Sequence, residues 1–319
     1  MSGERVPLVL LTGFLGAGKT TLLNAWLAAP DMQDSLVIIN EYGEVSLDHR
    51  LVSHVPEQAV VELASGCVCC TLRGDLARTL REAPWRFARG GVRQFRRVIV
   101  ETTGLADPAP ILRTLVKDEQ VARHYRLACT LTVVDTPLAG RTLEHHTEAL
   151  RQIVVADRLL LNKTKHANPD ALTSLQARLA ALNPWADVID SAAAPSLDAL
   201  MRPLPPPRFR PVPACEARPH SVRTDSIALP SPIPRARYEA WLAAWPEVAD
   251  SALLRMKAIL HVDALGWVVV HGVQHLLYPA QSLDEAFATG DSVAVCISLH
   301  GEEGHEGRAR RWLERLRDG

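Results

Sequence analysis

Residues 13–20 read Gly-Phe-Leu-Gly-Ala-Gly-Lys-Thr, a match to the spacing G-x-x-x-x-G-K-[ST]. An apolar run precedes it and a helical pattern follows, the context in which this spacing forms a triphosphate-binding loop. Gly13, Gly16 and Gly18, with Ala17 between the last two, let backbone amides approach phosphate oxygens without side-chain obstruction. The helix N-terminus that follows adds partial positive charge. Lys19 is expected to bridge the β- and γ-phosphates and Thr20 to ligate magnesium, with Thr21 on the α-phosphate side. A chance glycine-rich turn is the simpler alternative, and the coincidence of strand, loop and helix argues against it.

Such a site needs a second acid near the metal. Glu101-Thr102-Thr103-Gly104 directly follows Val98-Ile99-Val100 and reads as a D-x-x-G switch with glutamate in place of aspartate. Glu101 would hold a magnesium-bound water, and Gly104 would offer its amide to the γ-phosphate. Asp135, after the apolar residues 131–134, competes for the same description; capping the next helix is its simpler reading.

The third chemical feature is Cys67-Val68-Cys69-Cys70. Three sulfurs at a helix start suit thiolate formation, because amides and the helix dipole stabilise the anion. Three thiolates leave one tetrahedral position of a zinc ion open, which suits a metal that is handed on. Incidental buried thiols, or a structural zinc completed by a distant residue, are the alternatives.

These features need a frame to hold them. Strand patterns fall at 6–12, 36–40, 59–63, 97–101, 127–135, 158–162 and 187–190, with helical patterns at 19–28, 76–86, 108–116, 148–155 and 170–182. Such alternation predicts an α/β fold, a nucleotide-binding domain with a mostly parallel sheet covered on both faces. Residues 203–219 hold seven prolines and predict an extended linker. Beyond it, strands at 220–229, 253–262, 266–271, 274–278 and 292–299, with helices at 235–244 and 305–316, predict a small α+β domain. A Gly272-Val273 turn is expected between two of those strands. The expected organisation is therefore 1–202, linker 203–219, and 220–319.

With 319 residues, 47% of them hydrophobic, the chain can build sizeable cores. Its 35 basic and 36 acidic residues nearly cancel, which argues against broad binding to nucleic acid or an anionic membrane. No apolar run reaches spanning length, so a cytoplasmic protein is expected. Oligomeric state is left open.

Several segments together resemble the CobW family of GTPases, metallochaperones and metal-insertion proteins: residues 13–23 (GFLGAGKTTLL), 40–48 (NEYGEVSLD), 66–76 (GCVCCTLRGDL), 101–111 (ETTGLADPAPI) and 162–164 (NKT). Residues 253–263 and 270–276 resemble the family's C-terminal domain, so the likeness covers nearly the whole chain. The phosphate loop paired with C-x-C-C is the diagnostic combination. The resemblance implies a GTPase using GTP and Mg²⁺, with Lys19, Thr20, Glu101 and Glu41 serving catalysis and Asn162 and Lys163 serving the base. It makes Cys67, Cys69 and Cys70 ligands of a cargo metal, most simply Zn²⁺ with cobalt or iron as alternatives, passed to a client metalloprotein. Glu41 and Glu44 fall in the first switch segment, facing magnesium, cargo metal or the attacking water; a solvated acidic turn is the alternative, and Asp48 is similarly ambiguous.

One departure matters. The family reads guanine with N-K-x-D, and here the sequence is Asn162-Lys163-Thr164-Lys165. Lysine cannot accept the guanine N1 and N2 hydrogens, although it can donate to O6. GTP remains the expected nucleotide, with weaker discrimination against ATP. Asp170 is a possible substitute acceptor. His271 and His275 flank the expected turn and are a weaker second metal candidate; His145-His146, His300 and His305 read as ordinary residues. Two other functions stay open: a small-molecule kinase or transferase with a structural zinc, and a nucleotide-regulated scaffold.

Overall fold

The computed structural model describes residues 5–40, 59–62, 71–193, 196–202, 222–250, 252–283, 291–299 and 307–317. The chain divides into two compact units, Met1–Leu175 with Ala186–Arg202, and Gln176–Trp185 with Pro203–Gly319. The proline-rich residues 203–219, expected as a linker, lie outside the described residues.

The first unit is built on β1 (Val6–Gly13), β2 (Ser35–Asn40), β3 (Ala59–Glu62), a small hairpin of β4 (Ala88–Arg89) and β5 (Val92–Arg93), β6 (Arg97–Thr102), β7 (Tyr125–Asp135), β8 (Arg158–Asn162) and β9 (Asp187–Asp190). The intervening helices are α1 (Lys19–Leu27), α2 (Thr71–Arg86), α3 (Ala109–Lys117), α4 (Glu119–His124), α5 (Ala139–His145), α6 (Thr147–Val155), α7 (Pro169–Leu182) and α8 (Leu197–Leu200). Seven strands form one sheet in the order β3-β2-β6-β1-β7-β8-β9, and every neighbouring pair is parallel. The runs Val-Pro-Leu-Val-Leu-Leu and Val-Ile-Val are buried almost throughout. That is the signature of strands covered on both faces, as the alternating pattern predicts.

The topology positions the site. From β1 the chain goes to β2 on one side, and from β6 it crosses to β7 on the other. The direction of strand succession therefore reverses beside β1, which opens a crevice at the carboxyl ends of the strands. The amino ends are closed instead. Arg97 is buried and pairs with Asp198 at 2.8 Å. Arg158 donates to Leu200 O at 2.9 Å and Arg202 O at 3.0 Å. Both buried guanidiniums are thus partnered, which burial of a charge requires, and they bind residues 198–202 to the sheet.

The helices α4 and α5 escape the sequence reading because both are short. Asp118 starts α4 by accepting from the Gln120 and Val121 amides, a local cap signal that marks even a brief helix.

The second unit comprises β10 (Val222–Leu229), β11 (Leu253–Val262), β12 (Gly266–Val273), β13 (Leu276–Leu277), β14 (Gln281–Ser282) and β15 (Ser292–Leu299), with α9 (Arg235–Ala243) and α10 (Arg308–Glu314). Its sheet is antiparallel in the order β10-β15-β11-β12-β13, with β14 also on β12. Trp312 anchors the core, 4.3 Å from the Trp241 ring and 5.5 Å from the Trp245 ring. The turn expected at Gly272-Val273 is corrected: β12 runs through both residues, and Gln274, at φ 51, enters the turn instead. Gly272 is needed for packing, since a Cβ there would lie 2.3 Å from the Trp245 ring. Among the described residues no helix is long and apolar enough to cross a membrane.

Candidate functional site

Gly13 ends β1 with φ 142, and a Cβ on it would sit 2.3 Å from Val133 O. Only glycine lets the loop start this close to β7. Gly16 and Gly18 follow at φ 71 and 94, and a Cβ on Gly18 would meet Asn162 Nδ2 at 2.3 Å. Gly18 precedes α1 without a side-chain cap, so the first-turn amides of that helix are left for an anion. Lys19 is buried, and its Nζ donates to Gly13 O at 3.0 Å and Phe14 O at 3.4 Å. The ammonium therefore lies over the concavity of the loop. Thr21 is exposed on α1.

Thr20 Oγ1 donates to Glu101 Oε1 at 2.6 Å, across 81 residues of sequence. Glu101 is buried at the end of β6, and Thr102 Oγ1 donates to Thr12 Oγ1 at 2.8 Å, fixing β6 against β1. The loop hydroxyl and the switch carboxylate thus form one polar unit. Asp135 does not compete for that role. Its carboxylate accepts from Lys163 Nζ at 2.7 Å, so it is an ion-pair partner rather than a cap of the next helix. Gly104 lies against the loop, where a Cβ would come 2.6 Å from Leu15 N.

The end of β8 reaches the same loop. Asn162 Nδ2 donates to Ala17 O at 2.8 Å, and Asn162 Oδ1 accepts from Ser191 Oγ at 3.0 Å. Lys163, at φ 60, donates from Nζ to Gly16 O at 2.8 Å. Thr164 Oγ1 donates to Asp190 Oδ2 at 2.9 Å. Lys165 is exposed, as is Asp170 in the first turn of α7. The site therefore unites Gly13, Gly16, Ala17, Gly18, Lys19, Thr20, Glu101, Gly104, Asn162 and Lys163 at one edge of the sheet.

Residues 7–190 match the CobW/HypB/UreG nucleotide-binding domain, and residues 222–310 match the cobalamin synthesis protein CobW C-terminal domain. The chain belongs to the CobW family. It is 38% identical over 183 residues to the zinc chaperone YjiA of Escherichia coli (strain K12), 57% of this chain and 56% of that one. It is 31% identical over 194 residues to the zinc-regulated GTPase metalloprotein activator 1 of Schizosaccharomyces pombe, 59% of this chain and 46% of that one. In these alignments the chain spans about half the length of the curated relatives it matches. The crystal structure of zinc(II)-bound YjiA GTPase from E. coli superposes with TM-score 0.66 and 25% identity, covering 99% of this chain and 100% of that one.

In this CobW-family chain, Glu41, Glu44, Asp48, Cys67, Cys69 and Cys70 lie outside the described residues. The strands that lead into their segments, β2 and β3, end at the same carboxyl edge as Gly13 and Thr102. Two described cysteines, Cys129 and Cys296, are buried and outside any disulfide. Burial, with Asp225 second, pushes the Cys296 thiol well up from its ordinary pKa, which disfavours metal-binding thiolate. Among the described residues no group of three or more His, Cys, Asp or Glu could hold a metal. His271 pairs in register with Lys257, and the His275 ring lies 2.6 Å from Ala249 O.

Sequence reasoning missed Gln152, which is fully buried on α6 and hydrogen-bonded to Gly104 O and Ala106 O. One signal was available: a glutamine directly before the apolar residues 153–155.

Gly18→Ala tests the loop geometry. Alanine at this φ is strained by about 1–2 kcal/mol, and its methyl overlaps the Asn162 carboxamide. Denaturant unfolding should show a loss of at least about 1 kcal/mol. Calorimetry should show nucleotide affinity down by about tenfold or more; wild-type values in both would refute the role given to this glycine.

Proposed function

We propose that this chain is a GTPase that uses its nucleotide state to bind zinc and deliver it to a client metalloprotein. The observation that carries the nucleotide part is the Thr20–Glu101 hydrogen bond beside the Lys19 ammonium and the glycine loop. A hydroxyl on the phosphate loop and a buried carboxylate at the next strand end are a hard-oxygen donor set suited to Mg²⁺. Thr20 would hold that ion, with Glu101 holding one of its waters. Bound there, Mg²⁺ neutralises charge on the triphosphate oxygens. Lys19 supplies a second positive charge, Gly18 and α1 supply amides, and Gly104 offers its amide to the γ-phosphate. Glu41 is the candidate for orienting the attacking water.

GTP as the nucleotide and zinc as the cargo are supported by relatives named as zinc chaperones and as a zinc-regulated GTPase metalloprotein activator. Cys67, Cys69 and Cys70 are the proposed cargo ligands, with Glu44 as a further candidate. Their soft donors fit zinc better than magnesium.

Lys19→Ala should abolish hydrolysis and strongly weaken triphosphate binding, with the melting transition retained. Phosphate release at the wild-type rate would remove the GTPase reading. Base selectivity has its own test. Because Lys165 cannot accept the guanine donors, Lys165→Asp should raise preference for GTP over ATP in competitive binding, by roughly tenfold for 1.5 kcal/mol of charge-assisted contact. An unchanged ratio means that another group reads the base.

The cargo assignment predicts linkage between the two sites. Segments 41–44 and 101–104 flank the cysteines in sequence and are the proposed γ-phosphate sensors. Ordering by triphosphate would then favour zinc binding, and zinc would tighten GTP binding by the same factor, about 5- to 150-fold for 1–3 kcal/mol. Zinc titration against a chelator, with GTP, GDP or no nucleotide, measures this. Binding should weaken as pH falls, because the ligands must be deprotonated. Serine at Cys69 and Cys70 should remove the site and the linkage. Equal zinc affinity in all three nucleotide states would mark the metal as structural.

A further inference from the structure

We propose that Gln152, with Arg151 beside it, is a positioning residue for hydrolysis: the pair on α6 holds the 104–107 segment so that Gly104 stays seated against the phosphate loop. This rests on the GTPase reading and goes beyond it, because neither side chain belongs to the phosphate-binding motifs.

Gln152 is completely buried. Its Nε2 donates to Gly104 O and to Ala106 O, both at 3.0 Å. Two carbonyl acceptors require the amide NH₂ on that side, so the orientation of the carboxamide follows from its partners. Oε1 is turned away, buried, and without a hydrogen-bond partner among the described residues. An unmet buried oxygen is unfavourable; a residue present only to fill space would be better as leucine. The backbone of Gln152 is itself fixed, since its carbonyl accepts from Thr132 Oγ1 of β7 at 2.7 Å.

Arg151 adds a second hold. Its Nη1 lies 3.0 Å from Asp107 Oδ2, while Asp107 Oδ1 accepts from the Ala109 amide at the start of α3. On the opposite side Gly104 meets Leu15 of the loop. The segment is thus gripped between the phosphate loop and α6.

A cavity of about 110 Å³ borders Gln152 itself and the phosphate loop, lined by Phe14, Leu15, Asp135, Leu138 and Gln152 among others. The Gln152 hydrogen bonds on one side and the contact with Leu15 on the other set the position of Gly104. Loss of the tether should therefore change what the γ-phosphate feels and leave a diphosphate nearly unaffected.

The experiment compares full-length wild type, Gln152→Leu and Arg151→Met. For each, affinities for GDP and for a non-hydrolysable GTP analogue with Mg²⁺ are measured beside GTP turnover and thermal melting. In Gln152→Leu, turnover should fall at least about tenfold, and preference for the analogue over GDP at least about fivefold. GDP affinity should stay within about twofold of wild type. Arg151→Met, less buried, should shift the same quantities in the same direction by less. Turnover and preference like wild type would overturn the proposal, as would equal weakening of both nucleotides. If Gln152→Leu does not fold, Arg151→Met decides by the same comparison. If wild type neither binds the analogue nor hydrolyses GTP, the GTPase reading fails and this proposal with it; an active wild type matched by both variants sinks the tether alone.

Discussion

The hydrogen bond from Asn162 Nδ2 to Ala17 O governs the shape of the site. A peptide is planar and trans, so the Ala17 carbonyl and the Gly18 N–H point in opposite directions. Holding the carbonyl toward β8 turns that N–H away from β8. Gly18 has no side chain, which lets the carboxamide approach, and its φ of 94 lets the chain turn directly into α1. Lys163 secures the preceding carbonyl, of Gly16. The loop therefore does not hold its shape alone: two consecutive residues at the end of β8, 145 or more positions away in sequence, brace it.

That bracing is supported in turn. Lys163 is anchored by Asp135 at the end of β7, in register with Asn162. Asn162 is anchored by Ser191 after β9. The carboxyl ends of β1, β7, β8 and β9 are consequently joined by side chains, while β6 joins through Thr20–Glu101 and Thr12–Thr102. Most of these links are partly buried, with Lys163 exposed, and the more buried members are penalised if left unpaired. A change at one strand end is therefore felt in the loop.

What the sequence made legible follows from the range of each signal. The strand–loop–helix around Gly13–Lys19 is contiguous, and its glycine spacing suits little besides a phosphate loop. The parallel sheet was legible because strands covered on both faces are apolar at every position, as in Val98-Ile99-Val100. Asp135 was misjudged because its partner, Lys163, lies 28 residues on and no local pattern joins them. The role of Gln152 was missed for the same reason, its acceptors being carbonyls more than 40 positions earlier. Gly272 misled in the opposite sense: a glycine between two strand patterns reads as a turn, whereas here it makes room for an indole.

The same geometry separates two meanings of the Asn-Lys pair. By the family resemblance, Asn162 and Lys163 mark a site that reads guanine. In this structure the Asn162 carboxamide is engaged on both sides, by Ala17 and Ser191, and the Lys163 ammonium by Gly16 and Asp135. These bonds brace the phosphate loop, so the pair has a structural part to play there. Reading the N1 and N2 hydrogens of guanine needs an acceptor, which the exposed Lys165 cannot supply, although it can donate to O6. The bracing of the phosphate loop is thus built from backbone and side chains at the strand ends, and an acceptor for guanine N1 and N2 is a separate requirement that Lys165 does not meet.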